Sequence, residues 1–371
     1  MTPGIIPPAI ANLSWRPILL LLLIGGFGAI VLYSAAGGSM TPWAQSHIIR
    51  FCVFLVLALV LSRISETFWK DIAFPLYVVV LVLLIGVEVV GGISGGSQRW
   101  LDLGFIRLQP SELMKLAIIL ACARFYDLLP AGEIRGWTAI WPAAVAIGFP
   151  ALLVILQPDL GTALMIVAGG ISVMFLAGLP LRLFIAGVAA VAIISPLSYF
   201  FLLHDYQRKR VLTFLDPESD PLGSGYHITQ SKIAIGSGGV FGKGFLNGSQ
   251  SHLEYLPEGH TDFVFATMAE EWGLLGGLII IAAFIAFIRW AMGVSANAKS
   301  KFGKLTAAGL AMTIFFYFTI NLMMVMGLAP VVGIPLPMVS HGGTAMLTVM
   351  LCVGIILSIE RENRRSGRLR Y

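Results

Sequence analysis

Residues 16–36 read RPILLLLLIGGFGAIVLYSAA, and the only charge in this run is the arginine at its start. A helix needs about 20 mostly apolar residues to cross a bilayer, so the run predicts a membrane span. A secretion signal is the competing interpretation, because small residues end the run. The apolar part is long for a signal and a single cation flanks it, so we interpret the segment as a membrane anchor.

Similar apolar runs recur along the whole chain. Only 12% of the 371 residues are charged and 57% are apolar, with a mean hydropathy of +0.88. Soluble domains carry about 25% charged residues, and so few charges cannot cover a water-facing surface. We predict an all-α, polytopic membrane protein with about ten transmembrane helices. The predicted spans are residues 16–36, 46–62, 73–91, 110–129, 138–156, 160–178, 182–203, 263–288, 303–327 and 342–359.

The basic residues predict the orientation. Ten spans place both termini on one side, and if that side is the cytoplasm, fifteen of the 24 lysines and arginines lie inside. Nine lie outside, and five of those fall in one long loop, where the positive-inside rule has little force. The comparison is then fifteen against four, so we predict cytoplasmic termini. All six histidines fall on the outer side, which predicts that the substrate is met at the outer leaflet.

One large extracytoplasmic loop, residues 204–261, separates the seventh and eighth spans. Its residues Ile228, Ile233 and Ile235 beside Lys232 allow a short interfacial helix. A loop of this length is usually functional or disordered, and its apolar content argues against disorder. No nucleotide fingerprint occurs and no cytoplasmic segment could hold a nucleotide domain, so ATP-driven chemistry is not expected. We expect no nucleic-acid partner.

Glu112 and Lys115 open the fourth span at a spacing that places them on one helix face. Proline at the first helical position and an acid in the first turn are ordinary helix-start features. They account for Glu112 but not for Lys115, a cation near the positive end of the helix dipole. Lys115 therefore needs a partner, either Glu112 or an anionic ligand, and ionisable groups at this depth generally mark function.

Two aspartates start later spans. Asp159 opens the sixth span and, taken alone, is best explained as a helix N-cap. The fifth and sixth spans are joined by almost nothing, however, so Asp159 lies at membrane depth. Asp262 opens the eighth span, either as an N-cap or as a general base at the outer mouth of the bundle. Glu270 and Glu271 lie deeper and should face protein or a polar cavity, so an ion pathway stays open as an alternative.

The outer loop carries five cations. These are Arg208, Lys209, Arg210, Lys232 and Lys243. Such a cluster usually forms a solvated face or contacts lipid headgroups, and the alternative is a pyrophosphate site. The glycines of residues 236–244 could supply amides to that site, although a flexible loop describes them better. Residues 329–343 hold three prolines and three glycines, so we expect a re-entrant or surface-lying segment.

Several motifs together resemble the SEDS family (shape, elongation, division and sporulation proteins), and most closely its elongation-type members. The motifs are GSQRWLD at 96–102, QPSE at 109–112, QPDLGT at 157–162, LDPESDPLG at 215–223, EYLPEGHTDF at 254–263, GIPLP at 333–337 and SHGG at 340–343. They occur in order over nearly the whole chain, which implies one SEDS-type domain, residues 1–371. Gly259 and His341 depart from the pattern, since a larger residue and a tyrosine are usual there.

The resemblance implies a peptidoglycan glycosyltransferase that polymerises lipid II during cell elongation and cell-shape maintenance. It implies work with a class B penicillin-binding protein, in the cytoplasmic (inner) membrane, with the active site toward the periplasm or cell exterior. The implied partners are lipid II, the growing polyprenyl-linked glycan, that transpeptidase and membrane lipids. The implied catalytic carboxylate is Asp262, and the residues implied to support it are Glu112, Lys115, Asp159 and Trp100.

Such a transfer needs a base for the acceptor hydroxyl and cations for the departing pyrophosphate. Asp262 fits the base. Lys115, the loop cations or a divalent metal (Mg or Mn) would serve the leaving group, and the sequence assigns no metal ligand. The residues that we assign to substrate and pyrophosphate binding are Arg208, Arg210, Lys232, Lys243 and His260.

Two other functions remain as alternatives. A lipid II transporter (flippase) is supported by Glu88, Glu270 and Glu271 inside the spans and by the broken segment before the last span. A non-catalytic scaffold of the cell-wall synthase is the other alternative. Polymerisation of labelled lipid II, lost on Asp262→Ala, separates the enzyme from both.

Overall fold

Ten helices of 17 or more residues dominate the described part of the chain. The computed structural model describes residues 14–90, 92–94, 97–102, 107–201, 208, 212–216, 220, 223–253, 255–256 and 258–368. The long helices are α1 Trp15–Ala35, α2 Trp43–Leu61, α3 Glu66–Val90, α4 Pro110–Leu128, α5 Trp137–Leu156, α6 Leu160–Leu176, α7 Leu181–Phe201, α10 Val264–Ala296, α11 Lys301–Val325 and α12 Gly343–Arg368. Two shorter ones are α8 Ser224–Gly238 and α9 Ser249–His252. Each predicted span carries one long helix.

Seven of the long helices are apolar and long enough to cross a membrane unaided: α1, α2, α3, α5, α10, α11 and α12. Two more apolar stretches are shorter: α6, Leu160–Leu176, and the first part of α7, Leu181–Ile194. The tenth, α4, is more charged, since it carries Glu112, Lys115, Arg124 and Asp127. The chain is therefore a helical multi-pass membrane protein, as predicted, and the crossing number of ten stays a prediction.

Three short strands interrupt the helices, and the apolar-run analysis did not predict them. They are β1 Gly92–Ser94, β2 Ser97–Asp102 and β3 Arg107–Leu108, paired antiparallel in the order β1-β2-β3. Within the pairs, Gly92 lies opposite Trp100 and Leu101 opposite Leu108. The sheet directly precedes α4 in the chain, so it fixes Trp100 close to the start of that helix.

Helix α4 lies in the middle of the bundle. Its residues 114–123 are all buried, and it packs against α3, α6 and α11. Small residues allow the close approach: a Cβ added at Gly309 of α11 would lie 2.7 Å from side-chain atoms of Ile119 and Val173. Such contacts are typical of helix packing in membranes. The polar residues at the start of α4 therefore face protein and not lipid.

The glycine-rich segment that includes the end of α8, residues 236–244, packs backbone to backbone against α10. A Cβ at Gly238 or Gly242 would lie 2.1 Å and 2.0 Å from carbonyl oxygens of α10. Gly273 of α10, with φ of +62°, bends that helix where the segment crosses it. The amides of Lys243 and Gly244 donate to carbonyl oxygens of α10, each at 3.0 Å. The expectation of a flexible loop is therefore wrong, and these two amides are not available to a phosphate.

The short helix expected within the outer loop is present as α8. Its residues Ile228, Ser231 and Ala234 are buried, and the Ser231 hydroxyl donates to the Val325 carbonyl oxygen at 2.7 Å. The helix thus packs on α10 and α11 of the bundle, with Lys232 on its exposed side. Of the loop 204–261, residues 204–207, 209–211, 217–219, 221–222, 254 and 257 lie outside the described residues.

Candidate active site

A cavity of about 900 Å³ lies where four helices begin. Helices α4, α6, α10 and α12 start beside it, and we call this end of the bundle the outer end, following the orientation predicted above. Asp262, Asp159, Glu112 and Trp100 all line the cavity. Lys115 lies behind Glu112 and is 2% exposed. The structure therefore brings together all five residues that the sequence assigned to catalysis and its support.

Asp262 precedes α10 without capping it. The N-cap residue of α10 is Phe263, and no side chain caps the helix. The Asp262 carboxylate faces the cavity instead, with Oδ2 3.4 Å from the position that a Cβ on Gly333 would take. The N-cap interpretation of Asp262 is therefore wrong. Burial, and secondly the charge of Glu258, raise the pKa of Asp262 to about 6.

Asp159 has both roles that the sequence left open. Its Oδ1 accepts from the amide of Thr162 at 3.1 Å, which caps α6 as expected. Its Oδ2 accepts from the side-chain amide of Gln109 at 3.3 Å, which links the starts of α6 and α4. Both Asp159 and Gln109 line the cavity. Capping thus holds this carboxylate in a fixed position on the cavity wall.

Glu112 and Lys115 form a buried ion pair. The Lys115 Nζ lies 2.6 Å from Glu112 Oε1 and 2.7 Å from the hydroxyl of Tyr317. The Tyr317 hydroxyl donates to Glu112, and the Thr348 hydroxyl donates to Glu112 Oε2 at 3.1 Å. A buried charge is tolerated only when it is paired and hydrogen-bonded. The partner that Lys115 needed is therefore Glu112, and the two form one unit at the base of the cavity.

Arg50 of α2 also lines the cavity, and the sequence analysis did not single it out. Its Nη1 lies 3.3 Å from Nε2 of His341, and the Ser46 hydroxyl is 2.9 Å from the same ring nitrogen. Within the described part of the chain, Arg50 has no carboxylate within ion-pair distance. Burial and then the charge of Arg50 lower the pKa of His341 to about 4. Arg50 therefore gives the cavity a cation that no anion among the described residues neutralises.

The predicted substrate-binding cations that the structure describes lie elsewhere. Lys243 pairs with Glu270 at 2.6 Å, and Nε of Arg208 donates to the Tyr199 carbonyl oxygen at 2.9 Å. Lys232 is exposed on α8, and Arg210 lies outside the described residues. Neither Arg208, Lys232, Lys243 nor the His260 ring is among the groups that line the cavity of Asp262. Among the described residues, the cations of the outer loop therefore do not gather at the cavity of Asp262.

Glu270 and Glu271 face protein, as expected. Glu270 accepts from Lys243 and from the amide of Gln250 at 2.9 Å. Glu271 accepts from the hydroxyl of Ser34, and His252 Nε2 lies 3.4 Å from its Oε1. These contacts bind the outer loop to α10 and α1. The side chain of Glu88 lies outside the described residues. Of the three acids that supported an ion pathway, Glu270 and Glu271 are thus the two that can be placed, and both have structural partners.

Among the described residues, no three His, Cys, Asp or Glu side chains gather closely enough to hold a metal ion. Asp262, Asp159 and Glu112 share the cavity but do not converge on one point, and Glu112 is already engaged by Lys115. The described residues of the cavity therefore provide no ready-made set of three protein donors for a metal ion.

Comparison with known proteins gives a consistent result. The sequence profile of the FtsW/RodA/SpoVE family, described as cell cycle proteins, matches residues 14–365. The chain is 46% identical over 349 residues to the peptidoglycan glycosyltransferase MrdB of Escherichia coli (strain K12), covering 94% of this chain and 93% of that protein.

Solved structures agree with the sequence comparison. One similar chain belongs to a structure described as "structural coordination of polymerization and crosslinking by a peptidoglycan synthase complex". Its TM-score is 0.83, and it is 31% identical over 95% of this chain and 98% of that one. The rod shape determining protein RodA of Thermus thermophilus is also similar, with a TM-score of 0.72 and 27% identity over 95% and 97% of the two chains.

Proposed function

Since the chain belongs to the FtsW/RodA/SpoVE family of cell cycle proteins and is a peptidoglycan glycosyltransferase, we propose that it polymerises lipid II with Asp262 as the general base. The observation that carries this proposal is the placement of Asp262, whose carboxylate faces a cavity of about 900 Å³ without capping its helix. A carboxylate that is not used for folding is available for chemistry. The proposed setting is the outer face of the cytoplasmic (inner) membrane, where the polyprenyl tails stay in the bilayer.

The reaction transfers one proton and exchanges one bond. The Asp262 carboxylate accepts the proton of the acceptor sugar hydroxyl while that oxygen bonds to the anomeric carbon of the donor. The bond from the anomeric carbon to the pyrophosphate oxygen breaks, and its electron pair leaves with the polyprenyl pyrophosphate. Attack from the face opposite the leaving group inverts the anomeric centre. With a pKa of about 6, Asp262 is ionised at neutral pH and is a stronger base than an ordinary carboxylate.

Arg50 is the proposed stabiliser of the leaving group. Arginine forms paired hydrogen bonds with phosphate oxygens, and Arg50 lines the cavity without a carboxylate partner among the described residues. The N-termini of α4, α6, α10 and α12 also point toward the cavity, and helix N-termini favour anions. Together these groups supply positive potential where the charge of the pyrophosphate develops. Preorganised groups of this kind stabilise the transition state.

The remaining residues hold this geometry. The Glu112–Lys115 pair is bonded to Tyr317 of α11 and Thr348 of α12, so it fixes three helices at the base of the cavity. Asp159 and Gln109 hold the starts of α6 and α4. We therefore assign these groups to positioning, and their effects on rate should pass through the placement of Asp262 and Arg50.

A crosslinking partner is part of the proposal. The similarity to a chain of a peptidoglycan synthase complex supports assembly with a transpeptidase, for which a class B penicillin-binding protein is the proposed candidate. A polymerase that faces outward delivers glycan where crosslinking takes place, so the two activities suit one complex.

The test uses the purified full chain, with its transpeptidase partner, and fluorescent lipid II. Asp262→Ala and Asp262→Asn should abolish polymer, whereas Glu133→Ala, an exposed acid in another loop, should polymerise like the wild type. Wild-type rates in Asp262→Ala would refute the assignment. Movement of lipid II across liposomes without elongation would instead support the transporter alternative.

A further inference from the structure

A second cavity, of about 520 Å³, shares a wall with the first. The wall is the segment 258–262, of which Glu258, Gly259 and His260 line the second cavity while Thr261 and Asp262 line the catalytic one. The end of α1, at Ala36, and the start of α2, at Trp43, complete the lining. Both volumes fall within the range typical of small-molecule sites. A ligand in the second cavity would therefore lie one short segment away from the catalytic carboxylate.

The wall is held rigidly. The amide of His341 donates to the His260 carbonyl oxygen at 2.9 Å, and the Thr267 hydroxyl donates to the Gly259 carbonyl oxygen at 3.0 Å. A Cβ at Gly259 would lie 3.0 Å from the Thr267 hydroxyl. Gly259 thus lets the segment pack closely against α10 and keeps that part of the cavity open.

An aromatic surface borders the second cavity. The rings of Trp43 and His260 stack at 4.1 Å between centroids with an interplanar angle of 8°. Ser251, His252 and Glu258 add hydrogen-bonding groups to the same lining. Flat aromatic rings with a few convergent polar groups are suited to sugars, whose C–H faces stack on rings while their hydroxyls bond at the edges.

The charge of the described lining favours an uncharged ligand over a pyrophosphate. The described residues around the second cavity include no lysine and no arginine. Glu258 is acidic, and burial lowers the pKa of His260, so this ring is neutral at neutral pH. Arg50 lines the catalytic cavity instead. The second cavity therefore suits an uncharged polar ligand, and the catalytic cavity suits the pyrophosphate.

We propose that the second cavity binds uncharged sugar units of the growing glycan strand, behind the unit that reacts at Asp262. This inference rests on the proposed function and extends it, because a polymerase must hold the strand between successive additions. Strand units at this site would keep the reacting end next to Asp262 and so favour repeated addition over release.

The experiment uses the full chain with its partner and two probes: chitotetraose as a soluble uncharged saccharide, and fluorescent lipid II as substrate. Trp43→Ala removes the aromatic surface, and Ala36→Trp fills the cavity from the end of α1. Both should weaken chitotetraose binding about tenfold, equivalent to about 1.4 kcal/mol, and shorten the glycan products. The matched control is Trp141→Ala, an exposed tryptophan of α5 outside both cavities, which should behave like the wild type.

If Ala36→Trp binds chitotetraose and makes glycan of normal length, the proposal is overturned, even if Trp43→Ala is impaired. In that case the impairment of Trp43→Ala would come from the segment 258–262 beside Asp262 and not from saccharide binding in the second cavity. Asp262→Asn distinguishes the general-base role of Asp262 from saccharide binding in the second cavity. It should lose polymerisation and retain chitotetraose binding. Normal polymerisation by Asp262→Asn would refute the general base, whereas loss of saccharide binding in Ala36→Trp would still support the second cavity.

Discussion

The side chain of Asn321 holds the backbone of Asp262. Its amide nitrogen lies 2.8 Å from the Asp262 carbonyl oxygen and 2.7 Å from that of Ile334. Asn321 is fully buried in α11, so one side chain joins the catalytic segment to the irregular segment across the cavity. The position of the catalytic carboxylate therefore depends on a residue that does not itself line the cavity.

We expect Asn321→Leu to lower kcat more than it raises KM. Loss of two hydrogen bonds to buried carbonyl groups should cost about 1–3 kcal/mol of stability, and the displaced Asp262 should slow the chemical step. Steady-state polymerisation and thermal denaturation measure the two effects. The control is Asn297→Ala, whose amide makes a comparable bond to the Gly293 carbonyl oxygen at an exposed position. A normal kcat in Asn321→Leu would contradict the positioning role.

The activity should fall as the pH drops through about 6. Asp262 has a raised pKa of about 6, and only its ionised form accepts a proton, so kcat/KM should decrease tenfold per pH unit below that value. Since the charge of Glu258 contributes to the raised pKa, Glu258→Gln should move this limb to lower pH. Glu133→Gln should leave it in place. If the acidic limb of the kcat/KM profile lies at the same pH in Glu258→Gln as in the wild type, this would argue against Asp262 as the titrating group.

The same raised pKa has a consequence for stability. The folded-state pKa of Asp262 lies above its ordinary value of 3.8, so the folded protein binds this proton more tightly than the unfolded chain does. Its contribution is therefore most favourable below about pH 4 and is lost as the pH rises through about 6. Asp262→Asn should accordingly be more stable than the wild type at pH 7.5. A destabilised Asp262→Asn protein at that pH would contradict this prediction.

Removing one partner of the buried Glu112–Lys115 ion pair should destabilise the protein more than removing both. Lys115→Met leaves the Glu112 carboxylate buried without its cation, which should cost about 3–5 kcal/mol. The double variant Glu112→Gln with Lys115→Met removes both charges and should recover part of that loss. Thermal denaturation in detergent compares the three proteins. A double variant less stable than Lys115→Met alone would show that the pair is not the source of the cost.

Arg50→Gln should lower kcat by about 100-fold, because loss of one preorganised group that stabilises transition-state charge typically has effects of that size. Arg50→Lys should be partly active, since lysine keeps the charge but loses the planar fork. The matched control is Arg63→Gln, an exposed cation just beyond the other end of α2. Equal rates for Arg50→Gln and the wild type would exclude Arg50 from leaving-group stabilisation.

The sequence by itself determined the features that depend on local spacing. Apolar runs predicted the long helices, because the bilayer sets the length of a span. A separation of three residues placed Glu112 and Lys115 on one helix face, close enough to pair. The cap made by Asp159 followed from its position at the start of α6. Each of these interactions joins groups within about one helical turn, so a local pattern was enough to predict it.

Only the tertiary structure decided which distant groups meet. Tyr317 and Thr348 reach Glu112 from helices more than 200 residues along the chain, and Arg50 reaches the cavity from α2. The cation Lys243, predicted to bind substrate, pairs with Glu270 instead. Packing of glycines and other small residues sets how helices approach one another, and no short motif encodes that approach. The same packing leaves the Asp262 carboxylate free of its helix and turned toward the cavity.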